Sequence, residues 1–414
     1  MAEIRPFAGI RPRSELAAKV ASPPYDVISS DEAKALAAGN RYSFLHVVKA
    51  EIDLDAGIDI HSDKVYQKGA ENFRKLIDDG IMLRDPVPCF YIYQIIMGQH
   101  SQLGVMVGAS VDEYERGTIK KHELTRREKE DDRARHVEIL QANAGPVLFT
   151  YRSREHISEL VDELCRKEKP VYDFTAADEV SHLLWVISVP EDVARLREAF
   201  STVDSLYVAD GHHRTASAYR VRDIFKSKNP GHTGEEAYNY FLAVLFPDNE
   251  LKIMGYHRVI RDLHGLAPDE FLKQVSERFD LSAAAEPEPD GPRQFGMLLD
   301  GKWYRLEARA GSFPDDPVGS LDVSILQENL LAPVLGITDQ RTDVRIGFVG
   351  GIRGMGELER RCSQDMRLAF AFYPVSVAQL MAIADSGLIM PPKSTWFEPK
   401  LCSGVVVRSL DDNF

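Results

Sequence analysis

The sequence predicts an α/β protein with a mixed sheet, assembled from more than one part. Three observations predict this. Short runs rich in Val, Ile, Leu, Phe and Tyr alternate with segments whose apolar residues recur at helical spacing. The hydrophobic fraction of 44% with 28% charged residues is that of an ordinary globular chain, not of a disordered one. A length of 414 residues exceeds what a single core usually holds, so two or three domains are expected.

Taken in order, Asp31 to Ala38 reads as a helix capped by Ser29 or Ser30, with Asp31 and Glu32 in its first turn. Val65, Ala70, Phe73, Leu76 and Ile77 mark a second helix that Gly80 stops. Cys89 to Met97 and Leu103 to Val111 form a predicted hairpin across Gly98-Gln99-His100-Ser101. Lys120 to Leu140 is densely charged and reads as an exposed helix. Strand Val147 to Tyr151, helix His156 to Lys167, strand Leu183 to Val189 and helix Glu191 to Phe200 follow. Strand Ser205 to Ala209 then leads into helix Thr215 to Lys226, and strands are expected at Tyr240 to Phe246 and Lys252 to Ile260. Ser282 to Arg293 has the Ala, Pro and acid content of a linker or long loop. The expected division lies before it, giving an N-terminal region 1–260 and a C-terminal region 261–414. The second region alternates strand Val344 to Val349, helix Glu357 to Ser363, strand Leu368 to Tyr373 and helix Ser376 to Asp385. It ends with a loop from Met390 to Lys400 and strand Gly404 to Val407.

Composition excludes several classes. No window approaches the ~18 uncharged apolar residues of a membrane helix, and the first residues carry Glu3, Arg5, Arg11 and Arg13 rather than a secretory signal. Cys89, Cys165, Cys362 and Cys402 lie far apart without CxxC spacing, so neither a zinc ribbon nor a disulfide framework is expected, and a reducing cytoplasm fits. A net charge of −14 repels a polyphosphate chain and disfavours nucleic acid as a partner. A small anion can still be captured by local cations and backbone N–H groups.

Ser205 to Arg220 is the most informative passage. An apolar strand runs into Asp210-Gly211, and a helix begins at once. Gly211 permits a left-handed turn. His212, His213, Arg214 and Thr215 fall at the helix start, where N–H groups and the dipole favour an anion such as a nucleotide phosphate. Arg214 offers two parallel hydrogen bonds to phosphate oxygens, and Asp210 suits a Mg²⁺ ion or the orienting of a histidine. The plainer reading is that Asp210 caps the helix and the histidines lie on the surface. Zinc ligation by the adjacent His212 and His213 does not fit the usual ligand spacing.

Three further passages carry candidate chemistry. His122-Glu123 beside Lys120 and Lys121 offers a general base, or merely the start of the charged helix. Pro23-Pro24 stiffens a loop that fixes Asp26. Lys393, Ser394 and Lys400 on the proline-stiffened loop suit a phosphate, although the upstream glycines of a P-loop are missing. The glycines of Gly347 to Gly356 do not fall at dinucleotide-binding spacing, and no GxSxG elbow occurs.

Together, Ile4-Arg5-Pro6-Phe7, Ser22-Pro23-Pro24-Tyr25-Asp26-Val27, Tyr42-Ser43-Phe44-Leu45-His46-Val47, Glu51-Ile52-Asp53-Leu54, His122-Glu123 with Thr125, Ala209 to Arg214, and Met390 to Thr395 with Pro399-Lys400 resemble domain of unknown function family 1015. Lys49-Ala50-Glu51 departs from the Arg-Pro-Glu of that pattern. Asp-Gly-His-His-Arg is similar to the signature of the ParB/sulfiredoxin-like superfamily, which includes kinases of free L-serine. The resemblance implies a ParB/sulfiredoxin-like nucleotide-binding segment and phosphoryl transfer from ATP or ADP, with Mg²⁺, to the hydroxyl of a small amino acid. Under that expectation Gly211, His213, Arg214, Thr215, Lys393, Ser394 and Lys400 bind the nucleotide, and Asp210 holds metal. Glu123, Asp210 and His212 are catalytic, and Asp26 with His122 meets the substrate. The competing expectations are a ParB-type nucleotide switch and a phosphate-ester hydrolase or nuclease. A homodimer is the base-rate expectation for the assembly.

Overall fold

The computed structural model describes residues 2–284 and 286–411. The chain forms two compact units. The first comprises Met1–Lys121, Thr125–Leu251 and Pro399–Phe414; the second comprises His122–Leu124 and Lys252–Glu398.

The first unit is built on a nine-stranded mixed sheet. Across it run Ile119–Lys120, Leu206–Asp210, Val147–Tyr151, Tyr240–Pro247, His100–Ser110, Phe90–Met97, Ser181–Ile187 and Tyr172–Thr175, with Ile4–Arg5 also paired to His100–Ser110. Two pairs are parallel, Leu206–Asp210 with Ile119–Lys120 and Tyr240–Pro247 with Val147–Tyr151; the other pairs are antiparallel. The central strands are buried along nearly their whole length, which is why they read as continuous apolar runs. The expected hairpin forms with a tighter turn than the sequence implies: Met97 pairs with His100, leaving Gly98-Gln99 as the loop. A second core in this unit gathers Phe44, Val47, Ala70, Phe73 and Leu76 under helices Ser30–Ala37 and Asp63–Asp78. Ser29 closes the first of these with a capping box to Glu32.

The charged stretch differs from its expectation. Ile119–Lys120 is a strand and the helix spans Arg127–Leu140. This helix is not simply a solvated face, because Asp132 and His136 are buried in it. Asp132 accepts from His61 Nδ1 and Tyr66 Oη at 2.7 Å each and pairs with Arg133 at 2.5 Å.

The second unit holds a six-stranded sheet in the order Phe279–Ala283, Lys302–Ala308, Gln294–Leu299, Leu368–Phe372, Tyr256–Ile260 and Ile346–Gly350. The expected strand Lys252 to Ile260 is broken at Gly255, where a Cβ would stand 2.4 Å from the Phe372 carbonyl oxygen. The expected linker begins inside strand Phe279–Ala283, so it is a loop within this sheet; its Ala285 lies outside the described residues, as do 412–414 and residue 1. Glycines 350 and 351 turn strand Ile346–Gly350 toward helix Gly354–Gln364. No helix among the described residues is long and apolar enough to cross a membrane.

Candidate functional site

The candidate site in the first unit grows from the end of strand Leu206–Asp210. Its pairing with Val147–Tyr151 slips between Val208 and Asp210, so that Val208 faces Phe149 and Asp210 faces Leu148. Such a bulge re-aims the following side chain. Gly211 then takes φ +98°, ψ +31°, and helix His212–Lys228 begins three residues earlier than its apolar spacing implies. Its N-cap residue, Gly211, has no side chain with which to cap it. Its first-turn N–H groups lie outside the i→i−4 ladder, at the positive end of a 17-residue dipole.

Around this turn the charges are arranged in pairs. Lys400 Nζ lies 3.1 Å from Asp210 Oδ2, and Arg214 Nη2 lies 3.7 Å from Asp26 Oδ2. Burial works against ionising Asp210, but Lys400 and Arg214 outweigh it and hold the carboxyl well below its ordinary range. Burial likewise works against the Arg214 charge, and Asp26 and Asp210 restore it. Arg214 also donates from Nη1 to the Pro146 carbonyl. Its guanidinium packs over Gly211, whose Cβ position is 3.3 Å from Arg214 Nε. The pocket beside it, lined also by Tyr25, Arg133, Asn143 and Ser403, has about 40 Å³ and room for a few waters.

The structure thus gathers Asp26, Asp210, Gly211, His212, His213, Arg214, Thr215 and Lys400 in one unit. Their roles separate. His212 is buried. His213 Nε2 accepts from the Arg126 N–H at 3.1 Å, so on that side the ring is an acceptor rather than a phosphate donor. Thr215 is fully buried and its hydroxyl donates to the Gly211 carbonyl at 3.2 Å; its proton is spent on the helix's own first turn. In both contacts the side-chain polar atom meets backbone.

His122, Glu123, Lys393 and Ser394 belong to the second unit. His122 is buried and its carbonyl accepts from the Met390 N–H at 2.8 Å. Ser394 is buried and donates to the Pro391 carbonyl at 2.6 Å. Lys393 has φ +58°, and its carbonyl accepts from Arg258 Nη1 at 2.9 Å. Arg258 is fully buried without a carboxylate partner among the described residues; burial pulls it down to about 9. It bonds the Pro392 and Lys393 carbonyls and Gln340 and stacks near Phe348, so it shapes this loop from beneath. Arg258 and the role of Arg133 are not legible in the sequence. Arg133 was hidden in a charge run, and an arginine inside an apolar strand carries no spacing signal.

In an α/β protein, a strand–glycine–helix turn flanked by cations is an arrangement able to receive an anion. The chain belongs to the family described as protein of unknown function DUF1015, whose model matches residues 4–324. No curated protein matches its sequence. Among solved structures it is similar to a conserved hypothetical protein from Pyrococcus furiosus, with 13% identity over 75% of this chain and 97% of the other, and a TM-score of 0.36. A free serine kinase in complex with AMP shows 12% identity over 75% and 93%, with a TM-score of 0.36. SbnI from Staphylococcus aureus, truncated at its C-terminus, shows 12% identity over 71% and 82%, with a TM-score of 0.37.

Proposed function

We propose that the chain binds a nucleotide by its phosphates at the Asp210–Thr215 turn and transfers a phosphoryl group to the hydroxyl of a free amino acid, serine being the first candidate. The observation that carries this reading is the helix start behind Gly211, with Lys400 and Arg214 beside it. Phosphoryl transfer asks a protein mainly for cations at the phosphates and an oriented nucleophile. The acceptor oxygen bonds to phosphorus as the bridging P–O bond to the departing ADP or AMP breaks, and Glu123 takes the hydroxyl proton. Arg214, Lys400 and the helix N–H groups hold the phosphate oxygens, and Asp26 meets the substrate ammonium. Asp210 would offer Mg²⁺ a hard oxygen donor once Lys400 releases Oδ2. Mg²⁺ would supply charge neutralisation at the phosphates.

The test is incubation with Mg²⁺ and ATP, ADP or pyrophosphate and a panel of hydroxy-amino acids, with product read by mass spectrometry. Phosphoserine from the wild type, absent with Arg214→Ala and Glu123→Gln, supports the kinase. One observation favours a second reading. Lys400 and Arg214 are already paired with carboxylates, so a nucleotide must re-partner both, as a switch would. Nucleotide binding lost with Arg214→Ala, without any phosphorylated product, favours that switch. Inorganic phosphate released without acceptor favours a hydrolase. No binding at all leaves the turn structural and refutes the proposal.

A further inference from the structure

A second pocket in the first unit encloses about 310 Å³, within the range of small-molecule sites. It shares no lining residue with the pocket beside Arg214. Its construction starts at Gly69, where a Cβ would stand 2.6 Å from the Val47 carbonyl oxygen, so glycine lets helix Asp63–Asp78 lie against Leu45–Val48. On that helix Val65, Ala70, Phe73 and Leu76 are buried, while the neighbouring stripe of Lys68, Asn72, Lys75 and the following Asp79 lines the cavity.

One wall is a fixed polar network. His46 Nδ1 lies 2.8 Å from Asp53 Oδ1, and its Nε2 lies 3.2 Å from the Asn40 carbonyl oxygen. Asn72 donates to Asp53 Oδ2 at 2.8 Å and to the His46 carbonyl at 2.7 Å. Asp53 is thereby engaged by two donors, and Asp79 is engaged by Lys75 at 2.9 Å. Two cations remain. Lys68 is half-buried and makes no hydrogen bond or ion pair among the described residues. Arg41 donates to the Tyr42 hydroxyl at 2.9 Å and lies 4.9 Å from its ring centre, without an ion pair to a carboxylate among the described residues. In a chain of net charge −14, two such cations around a cavity of metabolite size are a signal for a ligand.

We infer that this pocket binds a small metabolite through a phosphate monoester, whose charge matches Lys68 and Arg41. The Arg41 fork takes two oxygens side by side, and the Tyr42 hydroxyl, which accepts from Arg41, keeps its own proton for a third. The inference is independent of the kinase reading. Calorimetric titration with inorganic phosphate tests it, on the wild type and on Arg214→Ala, where the Asp210 turn no longer contributes. The expected result is saturable binding to both. Lys68→Gln and Arg41→Gln each weaken it about tenfold or more, and the exposed Lys34→Gln leaves it within about twofold. Binding that disappears with Arg214→Ala but survives Lys68→Gln overturns the inference, as does the absence of saturable binding. Equal affinity for succinate overturns the choice of phosphate.

Discussion

Replacing Gly211 by alanine tests how the turn is built. Gly211 has φ +98°, and an L side chain there costs about 1–2 kcal/mol from backbone conformation alone. Its Cβ would also stand 3.2 Å from Val147 Cγ1 and 3.3 and 3.4 Å from Arg214 Nε and Cζ. Val147 is a buried, β-branched strand residue and yields little. The end of Arg214 is the softer neighbour, so relief comes by moving the guanidinium off the Pro146 carbonyl and Asp26. Gly117 supplies an internal control, with φ +80° and nothing within 4 Å of its Cβ position. Urea unfolding is expected to show a loss of about 1–2 kcal/mol for Gly117→Ala and about 2–3 kcal/mol for Gly211→Ala. Nucleotide affinity, read by calorimetry, should fall about tenfold in the second variant alone. Equal losses in the two variants would refute the crowding argument. A larger loss for Gly211→Ala with unchanged nucleotide affinity would remove Arg214 from the ligand site.

Two further outcomes concern buried carboxyls of the first unit. Burial alone would raise Asp132, but Arg133, Tyr66 and His61 hold it down to about 2. Its folded pKa is below the unfolded one, so its contribution of about 2 kcal/mol is present above pH ~4 and is lost as pH falls toward ~2. Asp132→Asn should therefore destabilise by about that amount at neutral pH and flatten the acid limb of the unfolding midpoint. Glu113 behaves oppositely: burial pushes it up to about 7, and its Oε2 has no hydrogen-bond partner among the described residues. The unfolded chain releases that proton near pH ~4.5 and the folded chain keeps it, so stability falls as pH rises from ~4.5 to ~7. Glu113→Gln should remove that slope, and an unchanged slope would show that the carboxyl reaches water.

The elements most legible in the sequence were those whose local chemistry and tertiary burial agree. Helix Ser30–Ala37 was readable because Ser29 and Glu32 sit at capping-box spacing. Strand Val147–Tyr151 was readable because all five residues are buried. The strand pair Gln294–Leu299 and Lys302–Ala308 is hard to read from sequence, since the proline-rich loop before it dominates the local signal. At the candidate site Asp210, Gly211 and Arg214 stood out by residue type. What could not be read was which hydrogen bonds are already spent: the Thr215 hydroxyl on Gly211, the Ser394 hydroxyl on Pro391, and His213 on the Arg126 N–H. Such contacts join backbone atoms, which carry no sequence signature.

The ion pair between Lys400 and Asp210 also explains why the last segment of the chain matters to the turn. Residues 399–411 return to the first unit, and Lys400 meets Asp210 across 190 positions of sequence. Val407 bridges to Ile10, Ser403 bridges to Ser22, and Arg408–Ser409 pairs with Ala142–Asn143, so the segment is anchored at three places. Ser403 Oγ lies 3.2 Å from the Cβ position of Gly145, which brings the segment against the loop that holds Arg214. The family match ends at residue 324, so the ammonium that neutralises Asp210 comes from outside the matched region. Lys400 is the first of the charges that offset the burial of the Asp210 carboxyl and hold it ionised, with Arg214 the second. The electrostatic state of the turn is therefore set jointly by the strand–glycine–helix element and by the chain's final segment.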